Sequence, residues 1–179
     1  MPGTGKTRTI CMMIDVFIKL GKRVLVTSFT HTALDNILIK FKQMYPNQVS
    51  KCYRASFSRG ESKDGVKDFE VKLSTLKKYR EIEEFLEKKP VFFTTLLSLS
   101  NKLLYEKQFD YVLVDEASQV MEPKLLSALS LGKKFSLIGD YKQLSPIIKS
   151  PKAMIKGMGI SLLEKLCKAH PTWACNLTE

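Results

Sequence analysis

No stretch of this sequence approaches the roughly 20 consecutive apolar residues that a membrane-spanning helix requires, and the N-terminus lacks the basic-then-apolar pattern of a secretory leader. A soluble intracellular protein is the default expectation, with no membrane partner. Cysteine is sparse, and Cys11, Cys52, Cys167 and Cys175 include no C-x-x-C pair. That spacing argues against a zinc or redox site and for reduced thiols in the core. Acidic residues are outnumbered, 18 against 29 basic ones, which leaves a net charge of +11. Such a balance attracts polyanions, although lysines scattered along a solvated surface account for it equally well. Repeats and low-complexity tracts are absent too. The chain of 179 residues, 44% of them hydrophobic, has material for one core and is short for two.

Helical and strand patterns alternate along the chain, the signature of an α/β fold with a parallel sheet and helices on both faces. Ile10, Met13, Ile14 and Phe17 recur at helical spacing, and Gly21 ends that helix. A nearly continuous apolar strand, Val24–Phe29, follows. Leu34, Ile37, Leu38 and Phe41 then share one face of a second helix, closed by Pro46 and Asn47. The polar, glycine-containing segment around Ser56–Asp68 predicts a surface loop, and a charged helix is expected over Leu73–Lys88. Further buried strands are predicted at Val91–Thr95, Tyr111–Asp115 and Phe135–Gly139. Helical patterns separate them around Leu97–Leu104 and Pro123–Leu131, and a last helix is expected at Ser161–Ala169.

Three turns carry chemistry. Gly3-Thr4-Gly5-Lys6-Thr7 opens a helix, which presents backbone N–H groups and a positive helix terminus to phosphate oxygens. Lys6 would reach the terminal phosphates and Thr7 a Mg2+ ion. A glycine-rich helix start with an exposed lysine would look the same in isolation. The apolar run Val112-Leu113-Val114 then delivers Asp115 and Glu116 to a strand end, where parallel-sheet sites lie. Asp115 suits the Mg2+ shell, and Glu116 can polarise an attacking water. Gly139-Asp140-Tyr141-Lys142-Gln143-Leu144-Ser145-Pro146 also follows an apolar strand, and places Gln143 where it would sense a γ-phosphate.

Together these motifs resemble superfamily 1B helicases. Asp115-Glu116-Ala117-Ser118-Gln119 is similar to their motif II, Gly139–Pro146 to motif III, and Thr27-Ser28-Phe29-Thr30-His31-Thr32-Ala33-Leu34-Asp35-Asn36 to motif Ia. Within that superfamily the chain resembles most the DNA-replication ATP-dependent helicase/nuclease family, whose phosphate loop also reads Met-Pro-Gly-Thr-Gly-Lys-Thr. The RNA helicases of nonsense-mediated decay share most of these signatures. The resemblance implies a RecA-like P-loop lobe over residues 1–179, incomplete at both ends and without the strand that precedes the P-loop. That strand is expected in the middle of the sheet, so that its loss would leave two edges unpaired. ATP and Mg2+ are the implied cofactors. Gly3, Thr4, Gly5, Lys6, Thr7, Asp115 and Gln143 would bind them, with Glu116, Lys6 and Gln143 catalytic.

The resemblance further implies that Thr30, His31, Asn36, Thr94 and Thr95 line the path of a single DNA strand, with RNA the alternative. Thr30 or Thr32 would otherwise simply cap the second helix, with Asp35 completing the cap. A second helicase lobe with arginine fingers, a nuclease domain and a nuclear location, or else a mitochondrial one, are implied for the full-length protein. Two departures stand out: Ser145 replaces the first of two prolines, and Tyr141-Lys142 replaces a pair that is often His-Gln. A P-loop GTPase would want an Asn-Lys-x-Asp element and a small-molecule kinase a lid of arginines, and neither is found. The rival outside enzymes is a fragment that binds nucleotide or nucleic acid without turnover.

Overall fold

The computed structural model describes residues 4–55, 65–70, 84, 87–99 and 108–177. Its strands are β1 (Val24–Ser28), β2 (Cys52–Arg54), β3 (Val91–Thr95), β4 (Phe109–Asp115) and β5 (Gly132–Leu137), and its principal helices are α1 (Lys6–Lys19), α2 (His31–Met44), α3 (Glu122–Leu129) and α4 (Leu162–Ala169). All five strands run parallel in one sheet of order β2-β3-β1-β4-β5.

Strand geometry sorts the apolar residues into two layers, because successive side chains leave a strand on opposite faces. Val24 and Val26 of β1, Phe93 of β3 and Leu113 of β4 pack with Ile10 and Ile14 of α1 and with Leu34, Ile37 and Phe41 of α2. Leu25, Phe92, Val112 and Val114 point the other way, toward Leu125 and Ala128 of α3 and Leu163 of α4. Each large aliphatic or aromatic side chain buried this way contributes about 1.5–3 kcal/mol. Both faces being covered is why β1, β3 and most of β4 read as unbroken apolar runs.

Several expectations shift. The strand expected over Phe135–Gly139 pairs instead over Gly132–Leu137, beginning where Gly132 meets Phe109 across the ladder. No vacancy interrupts the middle of the sheet, since β1 pairs directly with β3 on one side and β4 on the other. The unpaired edges among the described residues are those of β2 and β5. Only Cys11 and Cys52 are core thiols, each pushed up to about 12 chiefly by burial. Cys167 is half-buried and Cys175 exposed, which corrects the expectation of four core cysteines. The charged helix expected over Leu73–Lys88 lies largely outside the described residues, where only Glu84 and Glu87 are seen to be helical. The same holds for most of the loop around Ser56–Asp68 and of the helical pattern around Leu97–Leu104, of which a single turn, Leu96–Ser98, is described.

The sequence pattern predicts no strand at β2, and the reason is Arg54. A three-residue strand bearing an arginine has no periodicity to read, yet Arg54 is buried, with 5% of its side chain exposed. Its guanidinium donates to Asp35 of α2 at 2.9 Å and to Glu70 beyond the 3-10 turn Lys67–Phe69. Asp35 is likewise buried, so it does not complete a helix cap. It ties the middle of α2 to the edge of the sheet. Removing one partner of such a group leaves a buried charge uncompensated. Arg54→Ala is expected to destabilise the domain by about 3–5 kcal/mol, measured by urea unfolding. An unchanged midpoint would show that the three charges are solvated rather than structural.

Candidate nucleotide site

The site is assembled by register. Ser28 lies opposite Thr95 on β3 and opposite Asp115 on β4, so three neighbouring strands end at one level. Asp115 is the last residue of β4, and Glu116 turns the chain out of the sheet with φ 54° and ψ 32°, the one non-glycine residue with positive φ among the described residues. A left-handed glutamate is a strained conformation of the kind that collects at functional sites. The strain is held by a hydrogen bond from the Ala117 N–H to the Ile138 carbonyl at 2.9 Å, and by the following 3-10 turn Ala117–Gln119.

The Asp140–Gln143 turn is bound to the same place from the other side. Asp140 accepts from the Lys142 N–H at 3.0 Å and from the Gln143 side-chain amide at 2.8 Å. Gly139 makes the approach possible: a Cβ there would stand 3.0 Å from Leu163 Cδ2, 3.1 Å from the Ser118 nitrogen and 3.3 Å from the Ala117 nitrogen. The two turns therefore pack backbone against backbone.

Across from them α1 begins at Gly5, whose φ of 77° is left-handed and open to a side chain only at a strain cost. The N–H groups of the first turn of α1 have no intrahelical acceptor and face solvent as anion donors. Lys6, Asp115, Glu116, Ser118, Gln119, Gly139, Asp140 and Gln143 line one recess. Lys6 also lines a second, with Thr4, Gly5, Thr7, Arg8, Asn36 and Lys40. Burial is the largest influence on Asp115 and raises its pKa above the ordinary carboxylate range. Glu116 beside it pushes the same way, while the Glu116 N–H and Lys6 pull it down. A half-buried carboxylate under that pressure suits a cation. Among the described residues no cluster of three or more His, Cys, Asp or Glu could hold a metal. A single carboxylate completed by a hydroxyl and substrate phosphates is how Mg2+ is commonly held.

Gly3 lies outside the described residues. Of the remaining expected phosphate-site residues, Lys6, Asp115, Glu116 and Gln143 come together directly, and Thr4, Gly5 and Thr7 adjoin them through Lys6. The five residues expected along a nucleic-acid path are not gathered. Thr30 caps α2, accepting from the Ala33 N–H at 3.1 Å, and exposed His31 follows it. Asn36 faces the P-loop recess instead, with Lys40 one turn on. Thr94 is fully buried and donates to the Ala55 carbonyl at 3.3 Å, so its hydroxyl is used within the fold and not on a strand. Thr95 is buried too, sharing a hydrogen bond with Ser98 at 3.1 Å. Ser28, Arg8 and Lys40 went unassigned from sequence. Lys40 was recoverable from its i+4 spacing to Asn36, whereas Ser28 had no signal beyond lying inside the motif.

Residues 55–151 match the model of a family described as an AAA domain. The chain belongs to that family. Curated relatives of this AAA domain include the DNA replication ATP-dependent helicase/nuclease DNA2 of Saccharomyces cerevisiae, 38% identical over 99% of this chain and 12% of the relative. The Gallus gallus protein of the same description is 36% identical over 93% of this chain and 17% of its own length. The AAA domain chain thus spans 12–17% of these two relatives. Among solved structures, the DUF1998 helicase MrfA bound to DNA superposes with a TM-score of 0.55 over 87% of this chain and 21% of that one. At 11% identity that likeness speaks to the fold, which is RecA-like. The motif-based resemblance to the helicase/nuclease family is borne out.

The contact between the two turns generates a test. Gly139→Ala is expected to cost about 1–3 kcal/mol in stability, the usual penalty of overpacking, and to lower nucleotide turnover more than nucleotide affinity. Parallel thermal-melt and hydrolysis measurements would check both.

Proposed function

We propose that this chain is the ATP-binding motor lobe of a helicase that advances along single-stranded DNA, within a larger protein that unwinds duplexes in replication and repair. The observation that carries the proposal is the convergence of Lys6, Asp115, Glu116 and Gln143 on one recess at the strand ends, although they come from three separate parts of the chain. The first turn of α1 and Lys6 bind the phosphates. Mg2+, held by Asp115 and the Thr7 hydroxyl, would neutralise charge on the β- and γ-phosphates. Glu116 then orients and polarises the attacking water, while Gln143 senses whether the γ-phosphate is present. Lys40 and Asn36 extend the positive recess along α2. On the outer side, Thr30 and His31 at the N-terminus of α2 offer a hydroxyl, an imidazole and helix-end N–H groups to the phosphates of a strand.

The relatives' description as DNA replication proteins favours DNA over RNA and sets the nucleus as the compartment. Their pairing of helicase with nuclease makes a second lobe and a nuclease domain the expected neighbours in the full-length protein.

In the full-length protein, Glu116→Gln is expected to lower hydrolysis by at least 10²-fold, the scale of a general base, while nucleotide affinity is kept. Lys6→Ala should weaken nucleotide binding itself. Calorimetric titration with a non-hydrolysable ATP analogue, alongside a steady-state assay, separates the two effects. An active Glu116→Gln protein would show the machinery to be misassigned.

Strand binding should weaken with salt by about 0.7 log units per log unit of salt for each phosphate neutralised, with little dependence on base sequence. Anisotropy titrations of matched DNA and RNA oligonucleotides over a salt series would measure the slope. Tighter binding of the RNA would overturn the choice of strand.

A further inference from the structure

The Glu116 carboxylate is not held by the nucleotide recess alone. Its Oε2 accepts from the Ser28 hydroxyl at 3.4 Å and from the Thr30 hydroxyl at 3.2 Å. Both donors stand at or just beyond the end of β1, more than eighty residues away in sequence, and the β1–β4 register brings them there. They differ in what else they can reach. Ser28 is fully buried, so its proton has no access to any ligand. Thr30 is half-buried at the N-terminus of α2, beside exposed His31.

A hydroxyl has one proton and two lone pairs. Thr30 already accepts from the Ala33 N–H as the cap of α2, and its single proton goes to Glu116. A phosphate oxygen arriving at the α2 N-terminus offers a competing acceptor for that same proton. We propose that Ser28 and Thr30 are positioning residues for Glu116, and that Thr30 couples strand occupancy to hydrolysis because its one proton cannot serve the carboxylate and a strand phosphate together. Without a strand, both hydroxyls hold the carboxylate toward the end of β1. With a strand bound, Thr30 turns to the phosphate, only the longer Ser28 contact remains, and Glu116 is free to turn onto the water in the recess. The inference rests on the proposed strand contact at Thr30 and adds to it the route by which that contact reaches the catalytic carboxylate.

The test uses the full-length protein with Thr30→Val, Thr30→Ser or Ser28→Ala. ATP hydrolysis is measured with and without a saturating oligothymidylate, and strand affinity separately by anisotropy. Thr30→Val is expected to raise the strand-free rate and shrink the stimulation ratio, each on the order of tenfold, which is what one hydrogen bond to a carboxylate is worth as a population ratio. Thr30→Ser keeps the proton and should retain parental behaviour. Ser28→Ala should raise the strand-free rate with strand affinity unchanged. An equal fractional loss with and without strand in Thr30→Val would reduce Thr30 to a helix cap and overturn the coupling, as would an unaltered stimulation ratio. Should Thr30→Val fail to fold, Ser28→Ala decides, and a parental strand-free rate in it overturns the proposal. A parent protein that no strand stimulates would sink the functional reading along with it, whereas a stimulated parent with an unaffected Thr30→Val sinks only the coupling.

Discussion

The in-register pairing of β1 with both β3 and β4 fixes the positions of nearly every group discussed above. Parallel strands share a direction, so their carboxyl ends fall on one edge of the sheet. Here the ladder sets Thr95, Ser28 and Asp115 side by side. A slip of one residue in either pairing would send every side chain of the slipped strand to the opposite face. Val24 and Val26 would then lose α1 and α2, and Glu116 would lose the two hydroxyls. Core packing and site geometry are therefore specified by the same hydrogen bonds, and neither can drift without the other.

Around that ladder the chain adds two kinds of restraint. One is the buried guanidinium of Arg54, which fastens the middle of α2 through Asp35 and leaves the N-terminal turn of the helix as the part nearest a ligand. The other is the close backbone contact at Gly139, which joins the Asp140–Gln143 turn to the turn after β4. A displacement at Gln143 is thereby transmitted to Glu116 through backbone rather than through flexible side chains. Rigid links of this kind are what allow a small change at a phosphate to be felt elsewhere.

Much of this was legible in the sequence, and the residues that were not share a physical cause. Lys6, Asp115, Glu116 and Gln143 each sit where a long apolar or amphipathic run meets a turn, so local pattern alone located them. β1, β3 and α2 were legible for the same reason. Arg54 broke the pattern at β2, because its burial depends on Asp35 and Glu70, neither of which is a neighbour in sequence. Thr94 and Thr95 look equivalent in the sequence, yet alternation along β3 gives them different partners, the Ala55 carbonyl and Ser98. Asn36 belongs with the phosphate recess because of the helical phase of α2 against α1, which no motif spells out. Contacts set by the relative placement of distant elements were the ones missed.

The left-handed backbone of Glu116 has an evolutionary corollary. Glycine occupies that region freely and asparagine with little penalty, whereas glutamate does so at a cost of about 1–2 kcal/mol. Substitutions that abolish the carboxylate at this position are therefore downhill in folding free energy. A lineage released from selection for turnover would drift toward them, gaining stability as it lost catalysis. Among descendants of this fold, a glycine or asparagine at the position of Glu116 would mark the copies in which the motor has fallen silent and the scaffold has been kept.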